Sequence, residues 1–216
     1  MRNIVLIFLL LGIVIKTFSQ PTGSLMDPVT GKVFNSDKYS EVKGSPLLFE
    51  DWKPGNAVVA QGIYKGIELK YDVAGNTVLF KNGENAYEFQ NNVLSFVLMP
   101  NKTDSSSYLI FKKGISAQDL RPDKYVQVLA EGKISLYKIY LKMESQISEI
   151  NQGVVKTFID ATKYLVIRGG KSEYIKLTKK EVLGLMEPRQ EIEQYTKSMK
   201  NEKDLVQLIK YYNALP

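Results

Sequence analysis

Two residue types with reactive side chains are missing from this chain. Its 216 residues include no cysteine and no histidine. Nucleophilic catalysis of the Ser-His-Asp or Cys-His type therefore has no base, and zinc or copper sites built on imidazole or thiolate have no ligands. Without disulfides, we expect the fold to be held by burial of an apolar core. The sequence predicts a non-enzymatic protein with no metal and no cofactor.

Paired carboxylates are the one hydrolytic route that survives these absences. Glu50 and Asp51 are adjacent and precede Trp52, the only tryptophan. Neighbouring residues of an extended segment point to opposite sides, so these two carboxylates should not cooperate. A carboxylate-dependent hydrolase is therefore the weakest alternative.

Beyond its first twenty residues the chain has no apolar run that approaches the length of a membrane span, which is about 20 helical residues. The chain opens with Arg2, an apolar run from Ile4 to Ile15, and Thr17-Phe18-Ser19. That run is too short to span a bilayer and is typical of a secretory signal peptide. We expect residues 1–19 to be removed after Ser19, leaving an exported protein with no transmembrane helix.

A concentrated basic face is also missing. The formal net charge is +6, from 29 Lys and Arg against 23 Asp and Glu. Loss of Arg2 and Lys16 with the signal peptide leaves 27 positive side chains and a net charge of +4. These charges are interspersed, whereas proteins that bind nucleic acid gather them on one surface. The sequence predicts no nucleic-acid partner.

The middle of the chain, residues 57–177, has an apolar period of two, which is typical of β-strands. In residues 67–73 apolar side chains alternate with charged ones, which predicts one solvated face. Turn sequences at 74–76 and at Asn82-Gly83 make residues 67–89 a meander of three strands. Seven more strands are predicted at 93–99, 108–112, 125–131, 134–143, 154–159, 164–168 and 173–177.

About ten short strands with close connections predict a mainly β fold, an antiparallel meander arranged as a barrel, a sandwich or an open curved sheet. The preceding residues 20–56 are rich in Pro, Gly, Ser and Asp and predict an irregular lead-in. Its apolar residues Leu47, Leu48, Phe49 and Trp52 should plug one end of the core; the alternative is an aromatic ligand platform at Trp52.

Residues 178–216 change to a helical period. Thr178 and Glu181 form a capping-box sequence, and Asn201 is placed to cap the last helix. In that helix Leu205, Leu208, Ile209 and Tyr212 recur at helical spacing. We expect two to three helices that pack on the sheet.

Four stretches carry a resemblance to a known group: "SPLLFEDWKPG", "GIYKGIELKYDV", "VLAEGKISLYK" and "EKDLVQLIKYYN". In this order, and with the leader ending "FSQ", the chain resembles small exported proteins of Bacteroidetes-type Gram-negative bacteria. The resemblance implies a location in the periplasm or on the outer-membrane side of the envelope. It implies no reaction and assigns no functional residue.

Thirteen tyrosines, several beside lysines on predicted strands, give the candidate binding residues. A tyrosine offers an apolar ring and a polar tip, which suits a contact surface. The candidates are Trp52, Tyr64, Tyr71, Tyr125, Tyr137 and Tyr164. We expect a module that docks to another envelope protein through Tyr/Lys strand faces or edges. The alternative is a carrier that holds an apolar small molecule or lipid in a cavity lined by the sheet.

Overall fold

The computed structural model describes residues 31–149, 153–196, 199 and 201–216. The predicted signal peptide and residues 20–30 of the predicted lead-in lie outside this range. The strands are β1 (Gly31–Val33), β2 (Val42–Lys43), β3 (Lys53–Val59), β4 (Gly62–Asp72), β5 (Thr77–Asn82), β6 (Asn85–Phe89), β7 (Val93–Leu98), β8 (Leu109–Lys112), β9 (Val126–Ala130), β10 (Ile134–Glu149), β11 (Gly153–Arg168) and β12 (Lys171–Ile175). The helices are α1 (Lys179–Gly184), α2 (Gln190–Tyr195) and α3 (Glu202–Ala214), with short 3-10 turns at Ser36–Tyr39 and Ser105–Ser107.

These strands form one 12-stranded sheet. Its order is β1-β6-β5-β4-β3-β7-β8-β9-β10-β11-β12, and β2 pairs with β11 outside this path. Neighbouring strands are antiparallel except for the parallel pair of β2 and β11. The prediction of a mainly β, antiparallel fold with C-terminal helices is confirmed, and of the three predicted arrangements the sheet is the open one.

Several predicted boundaries were wrong. The strands predicted at 154–159 and 164–168 are one continuous strand, β11, because every residue from Gly153 to Arg168 pairs with β10. The strand predicted to end at Met143 continues to Glu149. The predicted lead-in, residues 20–56, carries β1, β2 and the start of β3, and all three strands pair within the sheet.

The first part of the sheet curls around an aromatic core. The rings of Tyr71 in β4 and Phe111 in β8 lie 5.4 Å apart, although β3 and β7 separate their strands. Neighbouring strands are spaced about 4.8 Å apart, so three steps along a flat sheet would put these strands about 14 Å apart. The Phe96 ring stacks on Phe111 with ring centroids 4.7 Å apart and also contacts Tyr71. The inner wall of this half is therefore packed with its own side chains.

The predicted meander of β4, β5 and β6 is confirmed, with Leu69 opposite Phe80. Its charged side is not fully solvated, however, because Asp72 is 0% exposed. The Asp72 carboxylate accepts hydrogen bonds from the Tyr39 hydroxyl at 2.8 Å, the Lys38 ammonium at 3.1 Å and the Gly75 backbone N–H at 2.9 Å. The prediction of a solvated charge was wrong at this position, since these three donors replace water.

The helices cover the other half of the sheet. Leu205, Leu208, Ile209 and Tyr212 of α3 are buried against a cluster that includes Ile134, Leu136 and Val166 of β10 and β11. The predicted packing of the C-terminal helix on the sheet is confirmed. Asn201 caps α3 in a reciprocal box with Asp204. At α1 the box is incomplete: Thr178 accepts from the Glu181 N–H, but the Glu181 carboxylate accepts from the N–H of Lys176.

Candidate docking surface

The hairpin of β10 and β11 is longer than the strands beside it. Beyond Lys138, β9 no longer pairs with β10, and before Tyr164, β12 no longer pairs with β11. We call the part that projects, residues 141–149 and 153–161, the arm. Its two strands stay in register along their whole length, so the arm is a regular two-stranded ribbon.

One face of the arm is apolar. Residues directly opposite each other in an antiparallel pair share a face, and the pairs Met143 with Ile159 and Ile147 with Val155 occupy the same side. Met143 is 50% exposed, Ile147 39% and Ile159 42%. We call this side the apolar face; its members are Leu141, Met143, Ser145, Ile147, Val155, Thr157, Ile159 and Ala161.

The opposite face is more polar, although it also carries Phe158 and the 67% exposed Val154, and it is partly covered. Lys142 and Asp160 form an ion pair at 2.6 Å across the two strands. The chain from 34 to 46, here called the strap, runs across this face and adds β2 alongside Lys156. Within the strap, the Tyr39 ring meets Phe158 edge-on at 5.5 Å. The strap thus holds the polar face of the arm, reaches the apolar face only at Thr157, whose hydroxyl donates to the Lys43 carbonyl, and leaves Met143, Ile147 and Ile159 exposed.

The strap is itself fixed to the core. Lys38 and Tyr39 both donate to the buried Asp72, at the end of β4. Burial and the hydrogen bond to Asp72 raise the pKa of the Tyr39 hydroxyl, so it remains a donor throughout the physiological range. The buried Asp72 carboxylate is thus one connection between the aromatic core and the strap, and the Pro46 carbonyl, which accepts from the Val73 N–H at 2.9 Å, is another.

A second polar cluster holds the base of the hairpin. The Glu202 carboxylate, at the start of α3, accepts from Lys138 at 2.8 Å and from the Tyr164 hydroxyl. Burial and this hydrogen bond raise the pKa of Tyr164. Burial raises the pKa of the neighbouring Tyr140 to about 12, and its hydroxyl donates to Gln127 at 2.8 Å. These contacts tie both strands to α3 and β9 just before the arm projects.

Most of the tyrosines singled out in the sequence lie in the interior. Tyr71 is 1% exposed, and Tyr64, Tyr125 and Tyr137 are also buried. Tyr71 and Tyr125 lie together, with ring centroids 5.8 Å apart. A ligand would reach these four only through an opening of the core, so the sites that remain accessible are elsewhere.

The other two candidates are partly exposed and lie apart from them. Tyr164 is bound to Glu202, as described above. Trp52 is partly buried, and the Lys70 ammonium lies 4.8 Å from its ring centroid. Leu48 and Phe49, from the same stretch, pack against the aromatic core. The structure therefore gathers no single surface from the six predicted residues.

The surface has hollows of modest size. The hollow between α3 and β11, about 340 Å³, is lined by Tyr164, Lys179, Glu202 and neighbours. Another beside the strap, about 390 Å³, includes Glu50 and Pro46. In the part of the chain that the structure describes, no three acidic side chains come together in a way that could hold a metal ion.

The apolar face was missed in the sequence because its residues were assigned to shorter strands. The run "ESQISEINQG" after Met143 is polar enough to suggest a loop, yet Met143, Ser145 and Ile147 keep the period of two. The period also continues on the other strand through Val155, Thr157 and Ile159. That alternation was the available signal.

Comparisons of the chain with protein-family models, with curated proteins and with solved structures gave no match. None of the helices within the described residues is long and apolar enough to cross a membrane.

Proposed function

We propose that this protein is a non-enzymatic docking module of the bacterial cell envelope, and that the apolar face of the arm is its contact surface. The partner is another envelope protein that presents an apolar surface of its own. The observation that carries the proposal is the asymmetry of the arm. Its polar face is held by the strap, while Met143, Ile147 and Ile159 face solvent on the other side.

The apolar side chains of the arm are exposed to water, which is unfavourable unless a partner covers them. Scattered exposed apolar residues are normal, but a contiguous apolar patch on a monomer marks an interaction site. Here the exposed side chains share one patch, because Met143 lies opposite Ile159 and Ile147 lies four residues further along the same face, with Ser145 between Met143 and Ile147. A partner that covers them gains roughly 25 cal/mol for each Å² of apolar surface removed from water.

Export to the periplasm or the outer-membrane side is part of the proposal. Its support is the sequence of the leader, with a short apolar run that ends at Thr17-Phe18-Ser19, and the resemblance to exported Bacteroidetes-type proteins. The absence of histidine and cysteine supports a role other than catalysis, since the common nucleophile and base pairs are missing.

The alternative of a lipid or small-molecule carrier has less support. A cavity of this kind would need the inner side chains of the sheet, but Leu69, Tyr71 and Phe80 are buried in the aromatic core. Ligand cavities are usually about 300–1,000 Å³ and mostly apolar. The hollow beside α3 reaches the lower end of that range, but Lys179 and Glu202 line it. The hollow beside the strap is of similar size and has the Glu50 carboxylate among its lining residues.

The test is affinity purification from native envelopes, with mass spectrometry of the protein and lipid fractions. A double variant, Met143→Lys with Ile159→Lys, removes the apolar face. Ile110→Lys is the matched control, because Ile110 is similarly exposed but lies on β8.

We expect one protein to be recovered with the native chain and with the control, and lost with the double variant. That protein, purified, should then bind the native chain in isothermal titration with fixed stoichiometry. Undiminished binding to the double variant would contradict the arm as contact surface. A stoichiometric lipid without any protein would favour the carrier.

A further inference from the structure

The outer edge of β10 is the feature that the docking proposal does not use. A strand edge presents backbone N–H and C=O groups that another strand can pair with. On the side away from β11, the described pairing of β10 involves only Leu136, Tyr137 and Lys138, which face β9. From Leu141 to Glu149 no strand among the described residues pairs with this edge.

This edge lacks the devices that natural sheets use against unwanted pairing. Proline, bulges, outward lysines and very short strands are the usual ones. No proline or glycine interrupts β10, and Lys142, its only lysine beyond Lys138, is engaged by Asp160. The strands at the two ends of the sheet, β1 and β12, are short, with 3 and 5 residues. The long, regular edge of β10 is therefore the exception.

We infer that the edge of β10 pairs antiparallel with the same edge of a second copy of this chain, across a two-fold axis at Ser145. The inference rests on the proposed role of the arm as a docking surface and names one partner of it. With the axis at Ser145, the paired segment runs from Leu141 to the end of β10. It therefore uses the whole free edge and does not reach the residues that pair with β9.

The side chains support this register. It places Met143 opposite Ile147 of the partner subunit, twice, so the apolar faces of the two arms join into one wider face. It places Glu144 opposite Gln146 of the partner subunit. A shift of one residue, to a centre at Glu144, would place two glutamates opposite each other, and like charges directly opposite destabilise a sheet. The four-stranded ribbon that results would offer a heterologous partner a doubled apolar surface.

The absence of native cysteines allows a direct test. Residues directly opposite in an antiparallel pair have Cβ atoms about 4.5–5.5 Å apart, which a disulfide can bridge after a small shift. We expect the purified protein to sediment as a dimer, and Ser145→Cys to form a disulfide-linked dimer under mild oxidation. Glu144→Cys, one residue away and on the other face, should cross-link far less.

Charge at the axis gives a second readout. Ser145→Lys brings two ammonium groups together across the two-fold axis, so we expect it to sediment as a folded monomer. Ser172→Lys adds the same charge to the exposed edge of β12 and should remain dimeric. A monomeric native protein, a Ser145→Lys dimer, or preferential cross-linking through Glu144→Cys overturns the inference. A monomer that still binds its envelope partner through the arm would overturn it and leave the proposed docking function standing.

Discussion

Met143 of β10 and Ile159 of β11 lie directly opposite each other on one face of the arm, and they are 50% and 42% exposed. Only a few residues closer to the base of the same hairpin, Leu136 and Val166 are also opposite each other and are completely buried under α3. One hairpin thus contributes a core pair at its base and a solvent-exposed apolar pair further out. The pair at the base contributes to the stability of the fold, and the outer pair is available to a partner.

The first prediction uses that contrast. Met143→Ala should change the free energy of unfolding by no more than about 0.5 kcal/mol, because exposed positions contribute little. Leu136→Ala should lower it by about 2–5 kcal/mol, since it leaves a cavity in the core. Urea denaturation followed by circular dichroism measures both. Equal losses would show that the outer part of the arm is not solvent-exposed.

The second prediction concerns the buried carboxylate that holds the strap. Asp72→Asn removes the charge that the Lys38 ammonium and the Tyr39 hydroxyl are bound to. Hydrogen bonds to charged groups contribute about 1.5–3 kcal/mol, and Lys38 is partly exposed, so we expect a loss near the lower end. The strap should also become more sensitive to limited proteolysis. Asp160→Asn, whose carboxylate is bound on the exposed arm, is the control and should leave cleavage of the strap unchanged.

The sequence predicted those features of the structure that depend on neighbouring residues, and it missed those that depend on contacts between distant residues. The alternation of Leu69 and Tyr71, and the turn at Asn82-Gly83, located β4 to β6 because both signals are contained in adjacent residues. The burial of Asp72 depends on Lys38 and Tyr39, more than thirty residues away in the chain, so no local pattern contains it.

The arm was missed for a different reason. Its strands are regular, but their polar residues Glu144, Gln146 and Asp160 resemble loop composition when the pairing is unknown. Tyrosine burial was similarly missed, because a lysine next in sequence, such as Lys70 beside Tyr71, points to the opposite face of the strand and does not indicate where the tyrosine lies. The candidate surface therefore emerged from pairing and exposure and not from composition.

The third prediction tests the role of the C-terminal helix. Leu208 of α3 is 0% exposed and packs against the sheet. Leu208→Ala should lower the free energy of unfolding by about 2–5 kcal/mol, and Gln207→Ala, on the exposed side of the same helix, should change it little. Truncation after Leu177 should expose the sheet and cause aggregation in light scattering. A soluble truncated chain of unchanged stability would contradict the packing.

The fourth prediction concerns a close approach between two strands. A Cβ placed on Gly55 of β3 would lie 2.2 Å from the Val97 carbonyl oxygen and 2.7 Å from a methyl group of Leu69. Because the backbone must move to make room, Gly55→Ala should lower the free energy of unfolding by about 1–3 kcal/mol. Gly184, in α1, has no atom within 4 Å of the same position. Gly184→Ala should instead stabilise the protein by about 0.4–1 kcal/mol. Thermal unfolding of both variants compares them directly.

The last prediction is a loss of stability in alkaline solution. Burial raises the pKa of both Tyr71 and Tyr125 above the ordinary value of 10.0. Above that value the unfolded chain loses tyrosine protons that the folded protein retains, so each rise in pH favours unfolding. The contribution of these hydroxyls is therefore complete below about pH 10 and declines above it, as the pH rises towards the folded-state values.

Melting temperatures measured at stepped pH values, together with tyrosinate absorbance, follow this effect. The absorbance of the buried tyrosines should rise with unfolding and not before it. Tyr71→Phe should make the decline less steep, because one group with a raised pKa is gone; Tyr211→Phe, on the outer side of α3, is the control. Tyrosinate formation by Tyr71 in a protein that remains folded would contradict the prediction, because its buried hydroxyl, which donates to the Asn76 side-chain oxygen at 3.0 Å, lies away from the solvent that would stabilise the anion.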